Sequence, residues 1–85
     1  MAMNKDLIRN YINNELIKDK DIGVIDSTYP LLENGVIDSL GIQKLIAYLE
    51  DTFSIRIEDE DIIPENFENL ESIYRFVEKR LWIKI

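Results

Sequence analysis

The chain alternates stretches of helical periodicity with one long stretch that has none. Met3, Leu7, Ile8, Tyr11, Ile12 and Leu16 recur at spacings of three and four residues, which sets them on one helical face. Lys5, Asp6, Arg9, Asn13 and Asn14 fall on the opposite face. The pattern predicts a helix over about 4–17. From about Lys18 to Asp38 the period disappears. Gly23, Pro30 and Gly35 interrupt this stretch, and Val24, Ile25, Tyr29, Leu31, Leu32, Val36 and Ile37 follow no helical spacing. A loop longer than about 12–15 residues is uncommon in a compact domain and often functional. Its apolar content predicts that it is pinned across the other elements, which would fix whatever stands at its end.

A second helical pattern begins at that end. Ile42, Leu45, Ile46, Leu49 and Phe53 follow helical spacings, so a helix is predicted over 39–53. Asp38 stands where an N-cap belongs, its carboxylate in reach of the free amides two or three residues on. Ile55, Ile57, Ile62, Ile63 and Phe67 are candidate core contacts of the next segment. Pro64 is expected to limit any helix there to a short one over 59–63. Asn69 can cap a last helix over 70–82, with Leu70, Ile73, Val77 and Leu81 as its buried stripe and Tyr74 and Phe76 flanking it. Lys79 and Arg80 near its end suit the helix dipole. The fold class is therefore all-α: a four-helix bundle, three helices long and one short, with a long first loop. No domain linker or repeat divides the chain, so residues 1–85 are expected to form one domain. The apolar tail Leu81-Trp82-Ile83-Lys84-Ile85 is expected to pack back on the bundle, or else to meet a partner.

Composition narrows the chemistry. The chain has 85 residues and neither Cys nor His. That removes a disulfide framework, a cysteine nucleophile, a Ser-His-Asp triad and almost every zinc site. A bundle this small has little room for a deep enzymatic cleft, and no feature places a carboxylate pair in an apolar pocket; no enzyme activity is expected. No apolar run approaches the ~20 residues that span a bilayer, so no membrane role is expected and the expected compartment is the cytoplasm. Seventeen acids against ten bases give a net charge of −7, which argues against nucleic acid as a partner. The excess lies in one place. Glu58, Asp59, Glu60, Asp61, Glu65, Glu68 and Glu71 follow one another with no Lys or Arg between them. This run reads either as a solvated surface or as a landing patch for basic partners. It is not a calcium loop: Ile63 stands where an oxygen ligand is needed and Pro64 where the turn glycine is needed. No metal site is expected.

The informative stretch is Leu32-Glu33-Asn34-Gly35-Val36-Ile37-Asp38-Ser39-Leu40. Gly35 permits a left-handed turn, Val36 and Ile37 can anchor the loop, and Asp38 caps the helix. Ser39 is then the first helical residue. A phosphodiester on its hydroxyl would meet the positive end of the helix, worth about 0.3–1 kcal/mol at an exposed site.

This stretch resembles the phosphopantetheine attachment site of the acyl and peptidyl carrier protein family, whose hallmark is Asp-Ser-Leu at the start of the second helix. The resemblance covers nearly the whole chain. It includes the helix order, the long first loop, the glycine four residues before the serine, and Ile62-Ile63-Pro64-Glu65-Asn66-Phe67 before the last helix. It implies 4'-phosphopantetheine carried covalently on Ser39, with Asp38 holding and orienting the helix end. A phosphopantetheinyl transferase would install the arm from coenzyme A with Mg²⁺, because serine needs a base that this chain lacks. A loading enzyme and downstream synthases would then act on an acyl or aminoacyl thioester. The protein itself would be a monomer and not a catalyst.

Partners are expected beside Ser39, on Leu40, Gln43, Lys44, Ala47, Tyr48 and Asp51, which lie away from the apolar stripe. Leu40 could instead pack on the long loop, and Tyr48 could flank the core as a partly buried ring. Carriers of the fatty-acid type usually have acids just after the motif, where this chain has Gly41 and Lys44. The resemblance is therefore to discrete carriers of polyketide, nonribosomal-peptide-like or other specialised pathways. The alternatives are a fatty-acid carrier and a helical interaction module whose Ser39 is never modified.

Overall fold

The apolar stripes read from the sequence face one another. The computed structural model describes residues 5–17 and 26–84, with side chains described through Leu81. Helix α1 spans Lys5–Tyr11 and continues as a wider π-helical turn over Ile12–Leu16. Helix α2 spans Ser39–Phe53. A 3₁₀ turn, Asp59–Asp61, and a four-residue helix α3, Pro64–Phe67, lead to helix α4, Leu70–Lys84. Among the described residues there is no strand, and the fold is the all-α bundle that the periodicity implied. None of the described helices is long and apolar enough to cross a membrane.

Each element brings its stripe to one core. Ile8, Ile12, Leu31, Leu45, Leu49, Phe67, Leu70, Ile73 and Val77 are all below 2% exposed. Ile17, Val36, Ile37, Ile55, Ile57, Tyr74 and Phe76 complete the core, and Leu81 packs against it. Burying each such side chain contributes roughly 1.5–3 kcal/mol. Three residues expected in the core behave otherwise. Leu7 is 40% exposed, because the face of α1 that meets the bundle is centred on Ile8 and Ile12. Ile62 and Ile63 are 41% and 40% exposed, so they are not core contacts. Met3, Val24 and Ile25 lie outside the described residues, as do the side chains of Trp82 and Ile83 on which the expected packing of the tail turned.

The short helix is also corrected. No helix spans 59–63. The chain makes a 3₁₀ turn over Asp59–Asp61, leaves it at Ile62, and begins α3 at Pro64. Proline stands at the first helical position, where its missing N–H costs nothing and its fixed φ suits the helix. Pro64 therefore starts a helix instead of ending one.

The described part of the first loop is pinned as expected. Leu31 N donates to Glu68 O at 2.8 Å and Glu71 N to Ser27 O at 3.0 Å, tying the loop to the junction of α3 and α4. The turn after Leu31 closes through Val36 N to Leu31 O at 2.9 Å, with Gly35 at φ 68°. That conformation is open to glycine at little cost. Buried Leu31, Val36 and Ile37 then hold the loop down directly before Asp38.

Candidate functional site

Asp38 is the point where the pinned loop becomes helix. Its backbone is extended, with φ −98° and ψ −172°. Its carboxylate accepts the Gly41 amide at 2.8 Å, and its carbonyl accepts the Ile42 amide at 2.9 Å. A cap of this kind stabilises a helix by about 1 kcal/mol. Ser39 follows as the first residue of α2 and is exposed. At the far end, Ser54 closes α2 in the left-handed conformation, φ 54°. Asn69 caps α4 in the same way as Asp38 caps α2, accepting the Ser72 amide at 2.8 Å.

A cleft of about 300 Å³ opens beside Ser39. Leu32 borders it from the loop, and Ser39, Ile42, Gln43 and Ile46 from α2. Ile62, Ile63, Pro64 and Phe67 form the opposite wall. Among the described residues, no charged side chain lines it. Ile62 and Ile63 were expected in the core, and the structure turns them toward this cleft. Their proximity to Ser39 was not legible in the sequence, where more than twenty residues separate them.

The predicted partner face divides. Leu40 is 61% exposed. Gln43, Lys44, Ala47 and Asp51 are exposed on the same helix. Tyr48 is different. Its ring stacks on Tyr11 with centroids 4.0 Å apart and planes 16° from parallel. Tyr48 Oη donates to Leu7 O at 3.2 Å, and Tyr11 Oη donates to Lys44 O at 3.3 Å. These reciprocal bonds commit the Tyr48 ring and hydroxyl to α1. The alternative reading, a partly buried ring flanking the core, is the one the structure gives.

The acidic run also divides. Glu58, Asp59, Glu60, Glu65, Glu68 and Glu71 are exposed. Asp61 is tied inward: its carboxylate pairs with Arg80 of α4 and accepts the Glu58 amide at 3.0 Å. Partial burial pushes the Asp61 carboxyl up. The Glu58 amide, the Arg80 guanidinium and the charge of Lys79 outweigh that and hold it below the usual carboxylate range.

The structure thus sets an exposed serine at a capped helix start, beside an apolar cleft. The fit with a pantetheine arm is good in kind. The hydroxyl is accessible, the helix end favours an anion, and the neighbouring surface is apolar.

No family model matches the chain, and no curated protein matches it. It is similar to a chain of a solved structure described as "Crystal structure of FAD-dependent dehydrogenase", with a TM-score of 0.74 and 31% identity. The match covers 82% of this chain and 97% of that one. Since 82% of 85 residues is about 70, the matched chain is about 72 residues long. At that identity and coverage, this chain belongs to the same family as that one.

Proposed function

We propose that this protein is a carrier that holds acyl or aminoacyl groups as thioesters on a 4'-phosphopantetheine arm attached to Ser39. The observation that carries the reading is the placement of Ser39: exposed, first in α2 behind the Asp38 cap, and facing an apolar cleft. The family resemblance of the Asp38-Ser39-Leu40 context supports the same reading. The arm supplies the thiol that carries the cargo, in a chain that has no Cys. Asp38 holds the helix end, and Ser39 Oγ is the atom that forms the phosphodiester. Its proton leaves to a base of the transferase, with the 3',5'-bisphosphate half of coenzyme A as the leaving group.

Partners meet the chain on exposed Leu40, Gln43, Lys44, Ala47 and Asp51. The partners are the transferase, a loading enzyme and downstream synthases of a specialised pathway. Gly41 and Lys44 favour that assignment over fatty-acid synthesis. The test is transfer of a fluorescent pantetheine from its coenzyme A conjugate. Wild type takes the label and Ser39→Ala does not. A labelled Ser39→Ala variant would overturn the site.

A second reading makes the chain a component of an FAD-dependent dehydrogenase, favoured by the description of the similar structure. The two readings agree if such an enzyme is a partner that acts on the carried group. Flavin binding by this chain alone is disfavoured. Dinucleotide folds use a glycine-rich strand-to-helix turn, and the chain has three glycines and no strand among its described residues. Titration of the isolated chain into free FAD should leave the flavin fluorescence unchanged.

A further inference from the structure

Apart from buried Phe67, the wall of the cleft opposite α2 has little core packing of its own. Ile62 and Ile63 are each about two-fifths exposed, yet both line the cleft with Ser39. Their backbone is held by the 3₁₀ turn before them. Ile63 N donates to Asp61 O at 3.0 Å, and Asn66 Nδ2 donates to the same carbonyl at 2.7 Å. The turn is held in place from α4. The Asp61 carboxylate pairs with Arg80, whose side chain is 26% exposed against 13% for Asp61. The Arg80 guanidinium also lies 5.5 Å from the centre of the Phe76 ring. Phe76 in turn meets Phe67 at 5.7 Å, ring centre to ring centre, and Phe67 lines the cleft. One stretch of α4 therefore supports both ends of the wall.

We infer that Asp61 and Arg80 are positioning residues that set this wall, and through it decide how the cleft receives a small apolar group carried from Ser39. The inference rests on the carrier reading. A largely buried pair whose carboxylate also accepts the Glu58 amide holds geometry better than an exposed pair. The lining offers apolar contact, with Gln43 and Ser39 as its polar side chains. At about twice the ~150 Å³ that accommodates benzene, the space suits an apolar group of on the order of ten heavy atoms.

The experiment uses hexanoyl-coenzyme A as the transferase substrate and four proteins: wild type, Arg80→Gln, Arg80→Lys and Asp61→Asn. Amide exchange is measured before loading, and Ile62 and Ile63 methyl resonances before and after. In Arg80→Gln and Asp61→Asn, exchange at Ile62 and Ile63 should accelerate by about tenfold while Leu49 stays protected. The methyl shifts that accompany hexanoylation of wild type should shrink by at least half. Arg80→Lys should restore part of both effects, which a general loss of packing would not do. Asp61→Asn keeps the shape of the turn and so serves if Arg80→Gln fails to fold. Folded, loaded variants with wild-type exchange and wild-type methyl shifts would overturn the inference and leave the carrier reading intact. Wild type that refuses the hexanoyl arm would overturn the carrier reading and this inference with it.

Discussion

Gly41 and Ile37 touch across the turn that delivers Ser39: a Cβ built on Gly41 would lie 2.9 Å from Ile37 Cγ2. Ile37 is buried on the loop side, and Gly41 is buried on the helix side. The glycine is what lets the pinned loop and the first turn of α2 approach this closely.

Gly41→Ala therefore opposes two effects. Alanine gains about 1 kcal/mol of helix propensity over glycine. The methyl group overpacks a buried, β-branched neighbour, which costs about 1–3 kcal/mol. The net expectation is a loss of about 1 kcal/mol, read as a lower denaturation midpoint at unchanged slope. A stabilised Gly41→Ala protein would show that Ile37 can move aside.

Asp38→Ala removes the cap on the Gly41 amide and should cost about 1 kcal/mol. Asp38→Asn retains an acceptor and should lose much less. Both are measured by urea denaturation. Equal losses in the two variants would mean that charge, and not the capping bond, is what Asp38 provides.

Tyr48→Phe should lower stability by about 1 kcal/mol or less, since the stack on Tyr11 survives and only the bond to Leu7 O is lost. Tyr48→Ala also loses the stack and should cost well over twice as much. A Tyr48→Ala protein as stable as wild type would return Tyr48 to the surface available to partners.

The Asp61 carboxyl is held below its ordinary pKa by the Glu58 amide, Arg80 and Lys79, despite its partial burial. A carboxylate with a depressed folded pKa contributes stability above its unfolded value, ordinarily about 3.9. That contribution is lost as pH falls through the lower folded value. Wild type should thus exceed Asp61→Asn in stability at pH 7, and the difference should close toward pH 3. A difference independent of pH would show that the charge of Asp61 is not what ties the turn to α4.

Leu40 is 61% exposed directly after Ser39. Leu40→Asp should change stability by no more than about 0.5 kcal/mol. If the proposed transferase reaches Ser39 over this residue, the substitution should lower kcat/KM for arm transfer about tenfold. Unchanged transfer kinetics would remove Leu40 from the partner face.

The sequence made the main helices legible because their apolar spacing is regular. Leu45 and Leu49 of α2 and Leu70, Ile73 and Val77 of α4 are buried as their periods require. Asp38 and Asn69 were legible as caps because the residue type and the following run both pointed to a helix start. The segment between α2 and α4 was not, because Ile62 and Ile63 are as apolar as core residues and their outward turn depends on the 3₁₀ geometry before them. The pairing of Asp61 with Arg80 left no local signal: the two are nineteen positions apart, and Asp61 stands inside a run of acids. The cleft needed both facts and so was hidden, while Ser39 beside it was not.

The most direct test is the intact mass of the protein before and after incubation with coenzyme A, Mg²⁺ and a broad-specificity phosphopantetheinyl transferase, with Ser39→Ala alongside. The carrier account predicts a gain of one phosphopantetheine on wild type and none on the folded variant. A folded wild-type chain, unmodified at the start, that gains nothing would contradict it and leave a helical interaction module in its place.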